Sequence, residues 1–470
     1  MGLTAYTRTP NYSIQVVRPD YTNAHYYKET EIVTFGTAET RNQSTACIQY
    51  EFQEQLLSPE GEFSFVTTLE ADEQGYTWYD KISTRDLVRI SEHGKVRFVG
   101  YVTDKRYVSR MGSRGPERSI MISGKSLGGL LVSFSLLINQ SILSSPITGE
   151  TAQKQFMEML AANVDVGQAL GPTIVAIKDA YFNLMEAIGG NQNLGVKHIL
   201  TTMFDFSTRV SPSVKAWYPV VVSAFQTGEN NLWSTLQQVL NPPFHEIFGL
   251  WDPDAKKYDI WVRQTPFDPS DWMNLPITRI PEDISPVLLV DYNIGASDRD
   301  VKTFFICTLP GSGIDLQKAL TVDDYAQCPV IDKKKWPYYG FKPLYAELKY
   351  FNRSEKNQQE FSGANKLMRD LSQKLYDWYA NNAEFLSGSL TLMNVQDNQY
   401  RAYPRIGERL GFLGGEFYIE QTKSSWTYGG PMLRTLAISR GYVYTATGKQ
   451  QERIQRVGPK VGVLEEEGVG

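Results

Sequence analysis

The chain has 470 residues, of which 41% are hydrophobic and 21% charged, a composition that predicts a folded globular protein and excludes a disordered one. Lysine and arginine together number 47 against 52 acidic residues, so the formal charge is −5. A protein that grips nucleic acid normally carries a basic surplus, because its affinity comes from neutralising phosphates, and that class is therefore not favoured. Three cysteines, Cys47, Cys307 and Cys328, are too few and too scattered for a disulfide scaffold or a four-ligand zinc site. We expect buried, reduced thiols.

The sequence predicts neither a signal peptide nor a membrane span. The first twenty residues contain no apolar run, and Tyr6 stands where the myristoylation pattern requires Ser or Thr. The most apolar stretch, 127–138, has 12 residues, whereas a helix needs about 17–25 to cross a bilayer. We therefore expect a soluble protein that is made in the cytoplasm.

In chain order, residues 1–24 are polar and rich in tyrosine, and we expect an N-terminal arm there. Residues 25–125 contain short runs rich in Val, Ile, Phe and Tyr, separated by turn residues, which predicts a first β-barrel domain. One of these runs, 61–70, alternates in polarity and predicts a half-buried strand, whose inward face would carry Phe63, Phe65, Thr67 and Leu69.

The middle of the chain, 126–284, predicts a mixed α/β connecting domain with a helical insertion. Apolar residues at spacings of three and four predict helices within 151–190 and at 231–240. Residues 244–268 predict two strands joined by the turn at 252–257.

Strand patterns return at 285–312 and 385–445 and predict a second β-barrel domain, interrupted by a helical insertion at 313–384. The longest helical pattern, 355–386, offers a core face of Phe361, Leu367, Leu371, Leu375, Trp378 and Tyr379. The tail, 446–470, is polar and of mixed charge, and we expect it to be disordered without a partner. The predicted fold class is α+β, mainly β, with two antiparallel β barrels and helical insertions.

Two segments of the chain are alike. Residues 96–125 and 415–442 each begin with an alternating strand, continue as a polar strand with basic residues, turn through Gly-Pro, and return as Arg-x-Ile/Leu-x-Ile-Ser. A short strand precedes each of them, at 86–91 and 405–412. Two interpretations stay open: any two twisted hairpins look alike, or the chain holds two related barrels.

The clearest catalytic motif is G-x-S-x-G at 124–128, which in serine hydrolases raises the Ser126 hydroxyl above a sheet. The predicted context is antiparallel β rather than alternating β and α, and the histidines that follow are His198 and His245. We favour a tight turn in which glycine supplies a positive φ. We then expect Ser126→Ala to leave folding and assembly intact.

Other site motifs are incomplete. His245-Glu246 begins like the helix of a zinc protease, but Gly249 stands where the second histidine belongs. The glycine-rich segments 311–313 and 411–415 lack the Lys-Ser/Thr of a phosphate loop. The sequence therefore predicts no catalytic residue, no cofactor and no metal site.

A glycan-binding or glycan-hydrolysing site is the remaining chemical alternative. Paired carboxylates flank the bond in most glycosidases, and candidates here are Asp252, Asp254, Asp259, Asp298 and Asp300. A sugar-stacking platform would use the tryptophan-rich region, with Trp217, Trp233, Trp251, Trp261 and Trp272. No spacing selects a pair, and turn aspartates and core tryptophans are the commoner uses of these residues.

Four stretches, 86–131, 232–268, 288–307 and 388–441, occur in an order that resembles the baseplate hub proteins of phage tails and related contractile injection systems, the late-control-protein-D type. The resemblance implies a structural protein rather than an enzyme. It implies a homotrimer whose two barrels per chain give a pseudo-six-fold ring, a symmetry adaptor between the six-fold tail tube and a three-fold central spike or fibre.

The resemblance also implies the partners: tail tube protein, spike or fibre protein, tape-measure protein and other baseplate proteins. DNA would pass through at ejection without specific binding, and the protein would be assembled in the host cytoplasm into the virion tail without membrane insertion. Two features depart from the family. The helical region 136–215 is long for a family connection, and no spike or lysozyme domain follows residue 445, so we expect those on separate chains. The alternative is a tail-associated glycan-binding or glycan-hydrolysing protein.

Overall fold

The described part of the chain is mainly β and is dominated by one sheet of 14 strands. The computed structural model describes residues 10–20, 28–36, 43–112, 115–133, 135–137, 202–210, 229–231, 233–234, 237, 243–266, 272–280, 289–308, 329–347, 358–380, 386–393, 403–412 and 415–442. The large sheet divides into two parts with separate cores, which we call unit A and unit B.

Unit A is formed by eight strands from the N-terminal quarter of the chain. Its strands are β1 (Tyr12–Pro19), β2 (Glu29–Gly36), β3 (Gln43–Ser44), β4 (Cys47–Gln55), β5 (Ser58–Thr68), β6 (Leu87–Glu92), β7 (Lys95–Gly112) and β8 (Gly115–Ser126). Their hydrogen-bonded order is β4-β5-β8-β7-β6-β1-β2-β3. The β6–β7 hairpin turns through His93 and Gly94, both at positive φ, as a two-residue hairpin loop requires.

The sheet of unit A curls around its core until strands far apart in the hydrogen-bonded order touch. The ring centroids of Phe35 on β2 and Phe65 on β5 lie 5.6 Å apart. Those of Phe52 on β4 and Phe98 on β7 lie 5.3 Å apart. The predicted alternation in β5 is confirmed for its first three core positions, while Leu69 lies beyond the strand and is exposed. This closure around one core is the barrel-like form predicted for the first domain.

Unit B is formed by six strands from the C-terminal half. They are β14 (Ile277–Arg279), β15 (Leu289–Gly295), β19 (Leu386–Met393), β20 (Arg409–Phe412), β21 (Gly415–Thr427) and β22 (Leu433–Tyr442). Their core includes Leu390, Leu410, Phe417 and Leu436. Tyr292 on β15 reaches across to Phe412 on β20, 6.0 Å between ring centroids, so this sheet also curls.

The two units repeat one topology. The order β4-β5-β8-β7-β6-β1 in unit A corresponds to β15-β19-β22-β21-β20-β14 in unit B, and the corresponding strands follow one another along the chain in the same sequence. All these pairings are antiparallel, except that β14 runs parallel to β20 where β1 runs antiparallel to β6. The hairpins β7–β8 and β21–β22 are the two segments whose sequences are alike. The interpretation of two related domains is confirmed.

Smaller elements connect the two units or are inserted into unit B. The connecting strands are β9 (Ser135–Leu137), β10 (Phe204–Val210), β11 (Glu229–Asn231), β12 (His245–Asp252) and β13 (Lys257–Gln264). An insert between β15 and β19 holds a sheet of β16 (Phe304–Thr308), β17 (Val330–Ile331) and β18 (Pro343–Glu347). The described helices are α1 (Trp78–Lys81), α2 (Gly128–Ser133), α3 (Trp336–Tyr339) and α4 (Gln358–Tyr379).

Three predicted boundaries need correction. Residues Tyr12–Pro19, placed in an N-terminal arm, form β1 between β2 and β6, because Tyr12, Ile14 and Val16 alternate into the core of unit A. Residues Ile277–Arg279, placed in the connecting domain, pair with β20 of unit B. Strand β16, placed in the second barrel, pairs with β17 and β18 instead.

The helical predictions have mixed outcomes. The helix at 355–386 is confirmed as α4, which buries Leu371, Leu375 and Trp378 against β16. The insertion around it also contains the strands β17 and β18, which the helical prediction missed. Of the predicted helix at 231–240, the described positions 233, 234 and 237 are helical, while residue 231 ends β11. The prediction at 151–190 and that of a disordered tail lie outside the described residues.

Among the described residues, no helix has the length and apolar character needed to cross a membrane.

Candidate functional site: the seam between the two units

The long strand β21 belongs to both units, and we call its contact with β4 the seam. The first residues of β21 pair with β20 inside unit B. Its second half, Gln421 to Thr427, pairs antiparallel with β4 from Gln55 to Gln49. The pairing extends one residue at each end, through the amide of Leu56 to Glu420 O (2.9 Å) and that of Tyr428 to Ile48 O (2.8 Å). The two units are therefore joined by backbone hydrogen bonds and not only by side-chain packing.

Trp426 of β21 is an apolar anchor of the seam. It is 6% exposed and lies in the core of unit A, although its strand belongs to unit B. Its ring centroid is 4.4 Å from that of Tyr12 and 6.0 Å from that of Tyr50. A buried aromatic side chain of this size contributes strongly to an interface, so separating the units would expose a large apolar surface.

A buried polar cluster closes the seam beside this anchor. Arg434, 3% exposed, donates to the hydroxyl oxygens of Tyr403 (2.6 Å) and Ser424 (2.8 Å). It also donates through Nη2 to the carbonyl oxygen of Pro404, 2.6 Å away. The Tyr403 hydroxyl in turn donates to Glu92 Oε2 of unit A, 2.7 Å away.

Unit A contributes further groups to this cluster. Tyr50 donates its hydroxyl to Glu92 Oε1 at 3.0 Å. The guanidinium carbons of Arg97 and Arg434 lie on the Tyr403 ring, each 3.9 Å from its centroid. Burial raises the pKa of Tyr403 far above its ordinary value, although Arg434 opposes the rise, so the phenol stays protonated and can donate. Each hydrogen bond has a set geometry, and the cluster therefore fixes how the units are oriented.

Another buried cluster ties the connecting strands to unit B. Arg263 on β13 donates to Glu246 Oε1 on β12 (2.5 Å) and to the Tyr418 hydroxyl on β21 (2.6 Å). Tyr418 donates its own proton to Glu246 Oε1, 2.7 Å away. A nearby group, Glu416 on β21, accepts hydrogen bonds from Arg409 Nη1 (2.7 Å) and Trp272 Nε1 (3.2 Å). Buried charges arranged in this way favour one relative position of the elements over others.

The opposite face of the shared sheet is polar. Lys423 on β21 forms an ion pair with Glu51 on β4 (2.8 Å), and Lys125 on β8 forms one with Glu60 on β5 (2.8 Å). A shallow cleft of about 290 Å³ lies between these strands. Partly exposed pairs of this kind contribute little stability, and paired charges leave no strong field of one sign.

The G-x-S-x-G motif has a structural role that the sequence did not predict. Ser126 ends β8 and is buried; its hydroxyl donates to Pro59 O (2.8 Å) and accepts from the Gly61 amide (2.9 Å). Gly124 lies within the strand and not in a turn, and its φ is not positive. Glycine is needed because a Cβ there would lie 2.0 Å from the Tyr101 carbonyl oxygen. The expected positive φ is therefore wrong, although the chain does turn at Leu127, between the end of β8 and the start of α2.

The buried hydrogen bonds of Ser126 change the expected effect of Ser126→Ala. Removing the hydroxyl leaves the buried Gly61 amide without its partner, which costs about 1–3 kcal/mol, whereas the Pro59 carbonyl keeps the hydrogen bond from the Tyr258 hydroxyl (3.0 Å). We expect urea denaturation to show a loss of that size in the free energy of unfolding with the slope unchanged. A loss below about 0.5 kcal/mol would instead agree with the expectation from the sequence that Ser126→Ala leaves folding intact.

The other candidate residues are dispersed. Trp233, Trp251 and Trp272 are buried, which excludes them from an exposed sugar platform, whereas Trp217 lies outside the described residues. Asp298 and Asp300 are exposed, and Asp252 caps its own turn through the amides of residues 254 and 255.

The thiols and histidines show no site among the described residues. Cys47 and Cys307 are buried free thiols, as predicted, and burial raises the pKa of each to about 12. Cys328 lies outside the described residues. Within the described ranges, no group of three or more His, Cys, Asp and Glu side chains is placed to hold a metal ion.

The polar groups of the seam were missed in the sequence, although one signal was present. Arg434 opens the repeated Arg-x-Leu-x-Ile-Ser pattern and shares the inward face of Leu436 and Ile438. A charged residue at an inward position of a strand predicts a buried partner. Its partner Tyr403 and the carboxylate that Tyr403 binds, Glu92, could not be identified, because Glu92 stands 311 residues before Tyr403 in the chain.

A carboxyl group beside the seam titrates near neutral pH. Burial raises the pKa of Glu408 from its ordinary 4.5 to about 7, against the opposing effect of Arg405 and other nearby arginines. Between these two pH values the folded state binds more protons than the unfolded state, so this group's stabilisation is complete below pH 4.5 and is lost as pH rises through 7. Glu54 has a pKa raised in the same direction, also to about 7 and also chiefly by burial.

We therefore expect Glu408→Gln to reduce the fall in stability between pH 5 and pH 8. The amide is neutral at both pH values and nearly isosteric with the protonated acid. Urea midpoints of the wild type and the variant at the two pH values measure the effect. Glu54 is present in both proteins, so both keep the part of the pH dependence of stability that comes from Glu54. Equal slopes for the two proteins would show that Glu408 is ionised in the folded state across this range.

The comparisons with known proteins concern the fold. No protein-family model and no curated protein sequence matches the chain. The chain is similar in structure to a tail protein from Neisseria meningitidis MC58, with 13% identity, a TM-score of 0.46, and coverage of 91% of this chain and 96% of that one. It is also similar to the 43 kDa tail protein of prophage MuSo2 from Shewanella oneidensis, with 12% identity, a TM-score of 0.46, and coverage of 92% and 98%.

A further similar structure is a chain of the half-lidded Francisella PdpA-VgrG complex, with 12% identity, a TM-score of 0.44, and coverage of 96% of this chain and 61% of that one. These three structures are thus two tail proteins and a chain of a VgrG complex. At these identities the likeness is one of fold.

Proposed function

We propose that the chain is a structural baseplate hub of a phage or phage-like tail. Three copies form a ring of six alternating units, which adapts a six-fold tail tube to a three-fold central spike or fibre. The observation that carries the proposal is the duplicated topology: one chain presents two units of the same strand order, joined into one sheet.

The differences between the units support a change of symmetry. The strands that correspond would repeat six times around the ring. The insert of β16, β17, β18 and α4 interrupts only unit B, between β15 and β19, whereas the corresponding strands β4 and β5 of unit A are joined by a tight turn at residues 56–57. In a trimer the insert would occur three times. Such a ring has six similar positions along its sheet and three positions where the insert lies.

The rigid seam also supports the proposal. A ring closes with a fixed number of subunits only when the rotation between successive units is fixed. The backbone pairing of β4 with β21, the Trp426 anchor and the Arg434 cluster hold that rotation within each chain.

In this proposal the chain acts by assembly rather than by catalysis. Its partners are the tail tube protein, the spike or fibre protein, the tape-measure protein and other baseplate proteins, and it is assembled in the host cytoplasm into the virion tail. DNA passes through the ring without specific binding. The net charge of −5 and the paired charges on the described sheet face give that face no excess of positive charge to hold phosphates.

The solution mass tests the proposal. We expect light scattering on the purified chain to give three times 53.3 kDa, and negative-stain images of the same peak to show rings with an open centre. A compact dimer with a deep cleft contradicts the proposal. So does turnover of peptidoglycan or capsule that a substitution of one Asp or Glu abolishes, because that result supports the glycan hydrolase.

A further inference from the structure

The duplicated topology leaves two strand edges open. Inside the chain, β4 of unit A pairs with the second half of β21 of unit B. The strand that corresponds to β21 in unit A is β7, and the strand that corresponds to β4 in unit B is β15. Among the described residues, positions 104–112 of β7 pair only with β8, and β15 pairs only with β19. Each presents one row of backbone groups that pairs with no strand in the described part of the chain.

The register shows which residues of β7 correspond to the seam residues of β21. Ile120 of β8 stands opposite Tyr107 of β7, and Leu436 of β22 stands opposite Thr422 of β21. The Ile120 and Leu436 positions coincide when the two Arg-x-Ile/Leu-x-Ile-Ser segments are superposed. Tyr107 therefore occupies the position of Thr422.

Corresponding positions differ sharply in exposure. Thr422, Ser424 and Arg434 are all buried, because β4 and unit A cover them. Their counterparts on the β7–β8 hairpin are Tyr107, which is 56% exposed, and the exposed residues Ser109 and Arg118. The hairpin of unit A thus has the form of a seam surface whose outer edge pairs with no further strand among the described residues, although the Tyr107 ring stacks on that of Tyr79, 4.3 Å between centroids.

The open edge of β15 has a complementary character. It exposes the apolar side chains Val290 and Tyr292, and natural proteins seldom leave such an edge without a cover. Residues 104–118 contain five basic and two acidic residues, whereas residues 289–300 contain three acidic and one basic residue. The opposite charges favour contact between the two edges.

We propose that β15 of one copy pairs antiparallel with the outer half of β7 of the next copy, an inference that rests on the ring proposed above. The partner of each edge is thus a second copy of this chain. In the seam, Thr427 stands opposite Gln49 and Ser425 opposite Glu51. The same register is applied to the corresponding strands, with β7 in place of β21 and β15 in place of β4. It places Gly112 opposite Asn293 of the neighbouring copy, and Arg110 opposite Gly295 of that copy. Three such contacts and three seams connect six units into one closed sheet.

A disulfide between copies tests this register. We combine Arg110→Cys with Gly295→Cys, because a Cβ added at Gly295 meets no atom within 4 Å. The matched control is Glu51→Cys with Ser425→Cys, two residues directly opposite each other within the seam of one chain. Each single variant controls for reaction of the native thiols.

After oxidation we expect the Arg110/Gly295 pair to give covalent dimers and trimers on a non-reducing gel that disappear on reduction. The seam pair should oxidise and stay at single-chain mobility, and the single variants should give no cross-linked species. If the protein is trimeric by light scattering and the seam pair oxidises but the Arg110/Gly295 pair does not, the strand pairing is wrong while the proposed hub stands. If the chain shows neither a trimer nor a cross-link, the proposed ring fails and the pairing fails with it.

Discussion

Arg434→Met is expected to lower the free energy of unfolding by about 2–4 kcal/mol. The substitution removes the donor to Tyr403, Ser424 and the Pro404 carbonyl, and each of these groups stays buried. An unsatisfied buried polar group costs about 1–3 kcal/mol, and the Glu92 carboxylate also loses a nearby positive charge. Urea denaturation measures the loss.

A control for this prediction is Arg369→Met. It makes the same chemical change at an exposed position of helix α4, outside the seam and outside the proposed contact between copies, so stability should change by no more than about 0.5 kcal/mol. Equal effects at Arg369 and Arg434 would contradict the role assigned to the buried cluster.

Trp426→Ala is expected to cost about 3–5 kcal/mol, the usual range for removing a buried aromatic side chain. The cavity would open in the core of unit A, on a strand that belongs to unit B, and would loosen the seam first. We expect hydrogen exchange of the amides at 49–55 and 421–427 to quicken more than that of the β5–β8 pairs at 62–68. Tyr338→Ala, at a position that is 85% exposed, is the control and should leave stability nearly unchanged.

A uniform rise in exchange along β4, β5, β8 and β21 would contradict the second prediction. It would mean that unit A and unit B unfold together and that the seam does not open separately from the two cores. Whether exchange rises locally or uniformly matters for the proposed ring, because such a ring needs a fixed angle between unit A and unit B.

Local sequence patterns predicted much of the fold. Strands β4 to β8 and β19 to β22 were predicted from short runs of strand-forming residues between turn residues, a pattern that depends only on neighbouring residues. The likeness of the two hairpins also indicated a duplication, since related strands keep the same inward positions. Strand β1 was missed because it lies in a polar, tyrosine-rich segment and its partner β6 begins 75 residues after Tyr12.

The sequence by itself determined the β character, the position of helix α4 and the lack of a basic surplus, and it offered two related domains as one of two interpretations. Only the tertiary structure decided which half of β21 pairs with β4 as well as with β22, and which single polar residues meet at the seam. Tyr403 donates to Glu92 across 311 residues, and Arg263 to Tyr418 across 155. Periodicity records which face of a strand is buried, but it does not record what that face meets, because partners distant in the chain are brought together only by folding.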